Sequence, residues 1–220
     1  FVPDTYVRVA SITKTFVAAA ILQLVGEREI ELDAPVETYL PDLIRGQGID
    51  GRAITVRQLL RHQSGLPEYF DDTTEPPVQP VSPPQLLSWA LAKPGAPPGR
   101  PVPVYTNTNY VVAGLIIEAV TGSTAADEIT RRIITPLGLT HTYFPAAGDT
   151  GLRAPMAHGY EIVDGRREDV TAAEPSGEYM AGSLISTNED IASFITALLD
   201  GRVVAAAELA QMTDTVPWPL

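Results

Sequence analysis

The chain has 220 residues, of which 45% are hydrophobic and 19% charged, enough apolar material for one domain or two small ones with a buried core. A net charge of −12 argues against nonspecific nucleic-acid binding, because no basic surface exists to displace counterions. The sequence has no cysteine, which excludes disulfides and thiolate metal sites; its three histidines, His62, His141 and His158, lack metal-ligand spacing, and no run is long enough to span a membrane.

In chain order, the apolar run 11–25 predicts a helix stopped by Gly26. Asp33-Ala34-Pro35 opens a short helical turn ending before Pro41. Thr55 caps a helix that runs to Arg61, and Ser64-Gly65 ends it in a turn. Ser82-Pro83-Pro84 starts another helix to about Ala92. That helix lies inside a proline-rich region, 73–103, read either as supplying a loop that lines a cleft or as a solvated, partly disordered loop. The stretch 109–120 is strongly apolar and closes at Gly122, and Ser123 caps a helix through Ile134 that Pro136 stops. Asp164-Gly165 sits between two short strand-like runs and predicts a hairpin. The segment 179–185 reads as extended, Thr187 with Asp190 starts a helix to Leu199, and 205–212 forms a last helix. Trp89 and Trp218 read as packing residues.

Two clusters carry chemistry. There are only two lysines, and Lys14 follows Ser11 by three residues, so the two share one helix face. A hydroxyl beside an amine is one way to build an activated nucleophile; the alternative is a plain helix N-cap at Ser11. Tyr105-Thr106-Asn107 follows the proline-rich region and precedes an apolar helix. There a phenol and a carboxamide can face the same cleft, the phenol as a proton carrier and the amide as both donor and acceptor. The alternative is a turn asparagine beside a surface tyrosine.

Together these clusters resemble the serine penicillin-recognising hydrolases: DD-carboxypeptidases, class C β-lactamases and related esterases. Arg8 to Phe16 is similar to the family's nucleophile segment, Leu59-Leu60-Arg61-His62-Gln63-Ser64-Gly65-Leu66 to its Leu-Leu-x-His-x-Ser-Gly-Leu segment, and Ala181 to Thr187 with Asp190 to a further recurrent stretch. Tyr105 to Gly114 is closest to secreted actinomycete DD-peptidases. The resemblance implies an α/β (α+β) fold of the β-lactamase/transpeptidase type. It implies Ser11, Lys14 and Tyr105 as catalytic residues and Asn107, Thr108 and Ser183 as substrate-binding ones, Ser183 through its backbone. Asn109 is either a cleft residue or a helix cap. No cofactor or metal is expected. The expected substrate is a D-Ala-D-Ala peptide or a β-lactam; an esterase, a β-lactamase, a D-amino-acid peptidase and an inactive penicillin-binding sensor are the alternatives. The family's third motif, His-x-Gly or Lys-Thr-Gly on a strand, has no match here. Residues 1–220 therefore read as the central, mainly helical part of one domain, with most of the antiparallel sheet outside them. An extracytoplasmic or secreted location is implied by the resemblance alone, and oligomeric state is not legible.

Overall fold

The computed structural model describes residues 2–70 and 77–217. Its elements run β1 (Val7–Arg8), a 3-10 turn (Ala10–Ile12), α1 (Thr13–Gly26), a 3-10 turn (Val36–Thr38), β2 (Arg45–Gly46), β3 (Ile49–Asp50), α2 (Val56–Leu60), α3 (Pro83–Leu91) and α4 (Thr108–Thr121). They continue with α5 (Ala125–Ile129), which passes into a π turn (Thr130–Ile134), then β4 (Tyr160–Val163), β5 (Arg166–Asp169), a 3-10 turn (Pro175–Gly177), α6 (Tyr179–Gly182), β6 (Ile185–Ser186), α7 (Asn188–Leu199) and α8 (Ala206–Thr213). The strands form three antiparallel pairs, β1–β6, β2–β3 and β4–β5. The expected mixture of helices with small antiparallel sheets is what the chain adopts.

Helix α1 is the axis of the molecule. Phe16, Val17, Ala19, Ala20 and Ile21 are fully buried, and this helix is apolar on every side. A helix of that kind must be surrounded; α4, α5, α6 and α8 all pack on it. Helix α4 presents Val112, Ala113, Ile116 and Ile117 to the same core. Each fully buried valine, isoleucine or phenylalanine among them stabilises the fold by about 1.5–3 kcal/mol. Phe16 of α1 stacks on Phe194 of α7 with ring centroids 3.7 Å apart, which joins the late helix to the axis.

Local chemistry sets most boundaries. Thr55 and Gln58 form a reciprocal capping box at α2, and Ser82 and Gln85 form another at α3. Thr187 accepts a hydrogen bond from the Asp190 amide at α7. The hairpin β4–β5 turns at Asp164-Gly165, as its sequence predicts.

Several expectations need correction. Gly26 is the last residue of α1 and Glu27 its cap. Thr124, not Ser123, caps α5 by accepting from the Asp127 amide. The segment expected to be extended from 179 instead winds into α6 before β6 begins. That turn is imposed by packing against α4, where a Cβ on Gly114 would fall 2.7 Å from Tyr179 Cε1 and 2.6 Å from Met180 Cγ. Trp89 is 37% exposed on α3 rather than packed. The helix expected inside the proline-rich region forms as α3; residues 73–76 of that region, like Trp218, lie outside the described residues.

Candidate active site

The strand β1 delivers the chain to Ala10, which adopts a left-handed backbone (φ 46) uncommon for a residue with a Cβ. That kink places Ser11 in a 3-10 turn ahead of α1, where its hydroxyl caps nothing and is exposed. The N-cap reading of Ser11 is thereby removed. Thr13 fixes the turn: its hydroxyl donates to the Ala10 carbonyl (2.7 Å) and accepts from the Leu184 amide (3.2 Å).

Ser11 Oγ lies 2.6 Å from Tyr105 OH and 2.9 Å from Lys14 Nζ. Lys14, in the first turn of α1, is only 6% exposed. Its Nζ also donates to Asn107 Oδ1 (2.8 Å) and to the Ala181 carbonyl (2.7 Å) and stands 4.8 Å from the centre of the Tyr105 ring. Those two oxygens are acceptors only, so each takes one N–H. The remaining tetrahedral direction of Nζ points at Ser11 Oγ. Ser11, Lys14, Tyr105 and Asn107, up to 96 residues apart in sequence, therefore form one hydrogen-bonded group. A hydroxyl with two proton carriers within reach is the geometry that nucleophilic catalysis requires.

Of two further residues expected at the cleft, Thr108 faces elsewhere and Ser183 has its backbone N–H engaged. Thr108 is fully buried and donates its hydroxyl to the Pro67 carbonyl (2.6 Å), because one step along α4 turns the side chain away from the direction of Asn107. Ser183 is 9% exposed, and its backbone N–H is taken by the Tyr179 carbonyl (3.1 Å). Asn109 is neither a cap nor a cleft residue: it is buried inside α4, with its Oδ1 accepting from Ser64 Oγ. Ser64, read as a turn residue, is buried and holds the turn by accepting from the Leu66 amide.

The structure adds groups that the sequence left aside. The Glu68 carboxylate accepts from the Asn107 amide (2.7 Å) and the Phe70 amide (3.1 Å), while Lys93, the second lysine, donates to the Glu68 and Tyr69 carbonyls. Glu178 is exposed as a residue, yet its carboxyl leans over Gly182, where a Cβ would lie 2.6 Å from Oε2. Desolvation there raises the Glu178 pKa above the ordinary carboxylate value, Lys14 opposes that shift and Glu68 adds to it. His62 stacks on the Tyr105 ring, with centroids 4.5 Å apart. Burial first, and the Lys14 charge second, lower its pKa to about 4. The Ala181 carbonyl is a backbone ligand of Lys14 that no side-chain pattern announces. Among the described residues, no group of three or more His, Cys, Asp or Glu could hold a metal ion, and no helix is long and apolar enough to cross a membrane.

A profile of the beta-lactamase family matches residues 1–219. The chain belongs to the beta-lactamase family. Among solved members, a D-stereospecific amidohydrolase from a Streptomyces species superposes with a TM-score of 0.91 at 40% identity, over 96% of this chain and 66% of that one. The D-amino acid amidase of Ochrobactrum anthropi SV3 gives a TM-score of 0.86 at 30% identity, over 97% of this chain and 60% of that one. Penicillin-binding protein 4 of Amycolatopsis lactamdurans is 28% identical over 97% of this chain and 58% of its own length. The chain thus spans less than two thirds of these relatives. The beta-lactamase-family resemblance read from Ser11-x-x-Lys14 and Tyr105-x-Asn107 is correct.

Proposed function

We propose that this chain carries the acylation site of a serine hydrolase that cleaves amides of D-amino acids or short D-peptides with a free amine. The carrying observation is the placement of Ser11 Oγ 2.6 Å from Tyr105 OH and 2.9 Å from Lys14 Nζ. In the reaction, Ser11 Oγ bonds to the substrate carbonyl carbon while its proton passes to the lone pair of an unprotonated Lys14 Nζ, whose two N–H groups stay on Asn107 and Ala181. The carbonyl oxygen becomes the oxyanion, and the Ser11 N–H is one donor suited to it. Tyr105 OH gives its proton to the departing amine as the C–N bond breaks, and Lys14 returns a proton to Tyr105. Water then attacks the acyl-enzyme with the same groups acting in reverse and releases the acid. Asn107 presents its amide to the substrate backbone.

Two observations support this substrate class. The amidohydrolase and the amidase named above support D-selectivity. The carboxylates of Glu178, electrostatically coupled to Lys14 and to Glu68, and of Glu68, which accepts from the Asn107 backbone N–H, favour a cationic amine over an acylated one. A second reading, D-alanyl-D-alanine carboxypeptidase, is favoured by the Tyr105 to Gly114 text and by the penicillin-binding relative. Comparing kcat/KM in the intact protein on a D-amino-acid amide, its N-acetyl derivative, its L-enantiomer and an acyl-D-Ala-D-Ala peptide separates the two. The amidase reading expects the free D-amide to be best. Preference for the acyl-D-Ala-D-Ala peptide would reverse it.

A further inference from the structure

We infer that His62 is a positioning residue that clamps Tyr105 against Ser11 by gripping the backbone on both sides of it and the ring between. The backbone grip is direct. The His62 carbonyl accepts from the Val104 amide at 2.9 Å, and His62 Nδ1 accepts from the Thr106 amide at 3.3 Å. The imidazole lies nearly parallel to the Tyr105 ring, with 24° between planes. Three contacts on three consecutive residues fix the phenol more tightly than any of them would singly. This inference rests on the proposed role of Tyr105.

The Leu59 to Leu66 segment supplies the clamp with its orientation. His62 itself has a left-handed backbone (φ 55), which turns its ring back toward residues 104–106 at the end of α2. Gly65 follows with φ +76 and lies so close to the 94–99 segment that a Cβ would come within 2.0 Å of the Ala96 carbonyl. Ser64 accepts from the Leu66 amide and donates to Asn109 Oδ1. That fixes the Asn109 amide with its Nδ2 toward His62 Nδ1, 3.1 Å away. Nδ1 therefore receives two N–H donors and bears no proton, so the neutral ring carries its proton on Nε2. A charged ring would put a proton on Nδ1 and break both bonds. Of the charged and titratable groups, Lys14 on α1 acts on the ring, Tyr105 and, on α4, Tyr110 lie against it, and Arg57, Arg61, Arg100 and Asp214 line the cavities it borders.

Two variants separate the clamp from bulk packing. His62→Phe keeps a stacking ring and removes the acceptor. His62→Asn puts Oδ1 where Nδ1 was, removes the ring and tolerates the left-handed backbone. In the intact protein, the single-turnover acylation rate of Ser11 is expected to fall about 10²-fold in His62→Phe with little change in KM, as for a displaced catalytic group. His62→Asn is expected to recover much of that loss. Equal acylation rates in His62→Phe and the parent would overturn the inference, as would an Asn variant no better than the Phe variant. Nitrogen-15 NMR of the parent's histidines needs no variant: an Nε2–H neutral tautomer down to about pH 4 is expected, and an Nδ1–H tautomer or a charged ring at pH 6 would overturn the clamp even if both variants failed to fold. A parent that never acylates at Ser11 would instead refute the proposed reaction and leave the tautomer result standing on its own.

Discussion

Lys14 joins three parts of the chain, through Ser11 one helical turn before it, Asn107 at the start of α4 and the Ala181 carbonyl on α6. An arginine there cannot hold the same three partners, because a planar guanidinium does not reproduce a tetrahedral amine. Lys14→Arg is therefore expected to fold and to lose acylation, which single-turnover kinetics with a chromogenic ester would show. Tyr105→Phe keeps the ring against His62 and removes the proton carrier, so kcat is expected to drop by about 10²–10⁴ with the thermal midpoint nearly unchanged. His62 also gives stability a pH dependence. Its native pKa is about 4 against 6.5 for the free side chain, so between those values the unfolded chain binds more protons. The stability from keeping it neutral is complete above about pH 6.5 and is lost as the pH falls toward 4. Glu178 has the opposite sign: its raised pKa means that stability falls as its carboxyl ionises in the folded state. Thermal melts from pH 4 to 7 should show a steeper acid loss in the parent than in His62→Asn, and less alkaline penalty in Glu178→Gln. Identical pH slopes in the parent and His62→Asn would exclude His62 as a contributor.

Elements divide by what specifies them. The helix starts at Thr55, Ser82 and Thr187 and the Asp164-Gly165 turn were legible because each is a local match between side chain and backbone, while the reciprocal bonds of Gln58 and Gln85 appear only in the structure. Thr55→Ala should cost about 1 kcal/mol by urea unfolding, the usual loss for an N-cap. Helix α6 was not legible, since four residues are too few for periodicity and the turn exists only where it meets Gly114 of α4. Gly114→Ala is a direct probe of that contact. The added methyl should push α6 outward, lengthen the Lys14–Ala181 bond and reduce acylation more than it reduces the melting temperature. The site divides in the same way. Ser11, Lys14, Tyr105 and Asn107 were assigned through the family resemblance that their combined spacing carries, whereas Glu68, Glu178 and the clamp of His62 depend on three segments converging, and Thr108 misled because sequence adjacency to Asn107 does not mean a shared helix face.

At the scale of the molecule, an apolar α1 carries Lys14 in its first turn and holds it rigidly by burial on all sides. The stack of Phe16 on Phe194 extends that rigidity to α7. Phe194→Ala should cost about 3–5 kcal/mol, and a loss well below that would mean α7 is not part of the cooperative core. Family membership explains why the scaffold takes this form, and the coupling of Ser11 to Lys14 and Tyr105 explains what it holds in place. The most direct test is the mass of the intact protein after incubation with a penicillin and with a D-amino-acid ester, alongside Ser11→Ala. A single covalent addition mapped to the Ser11 peptide and absent from Ser11→Ala is predicted. A folded intact protein that takes no addition from either reagent, or one that is still modified in Ser11→Ala, would contradict the assignment of Ser11 as the acylated group.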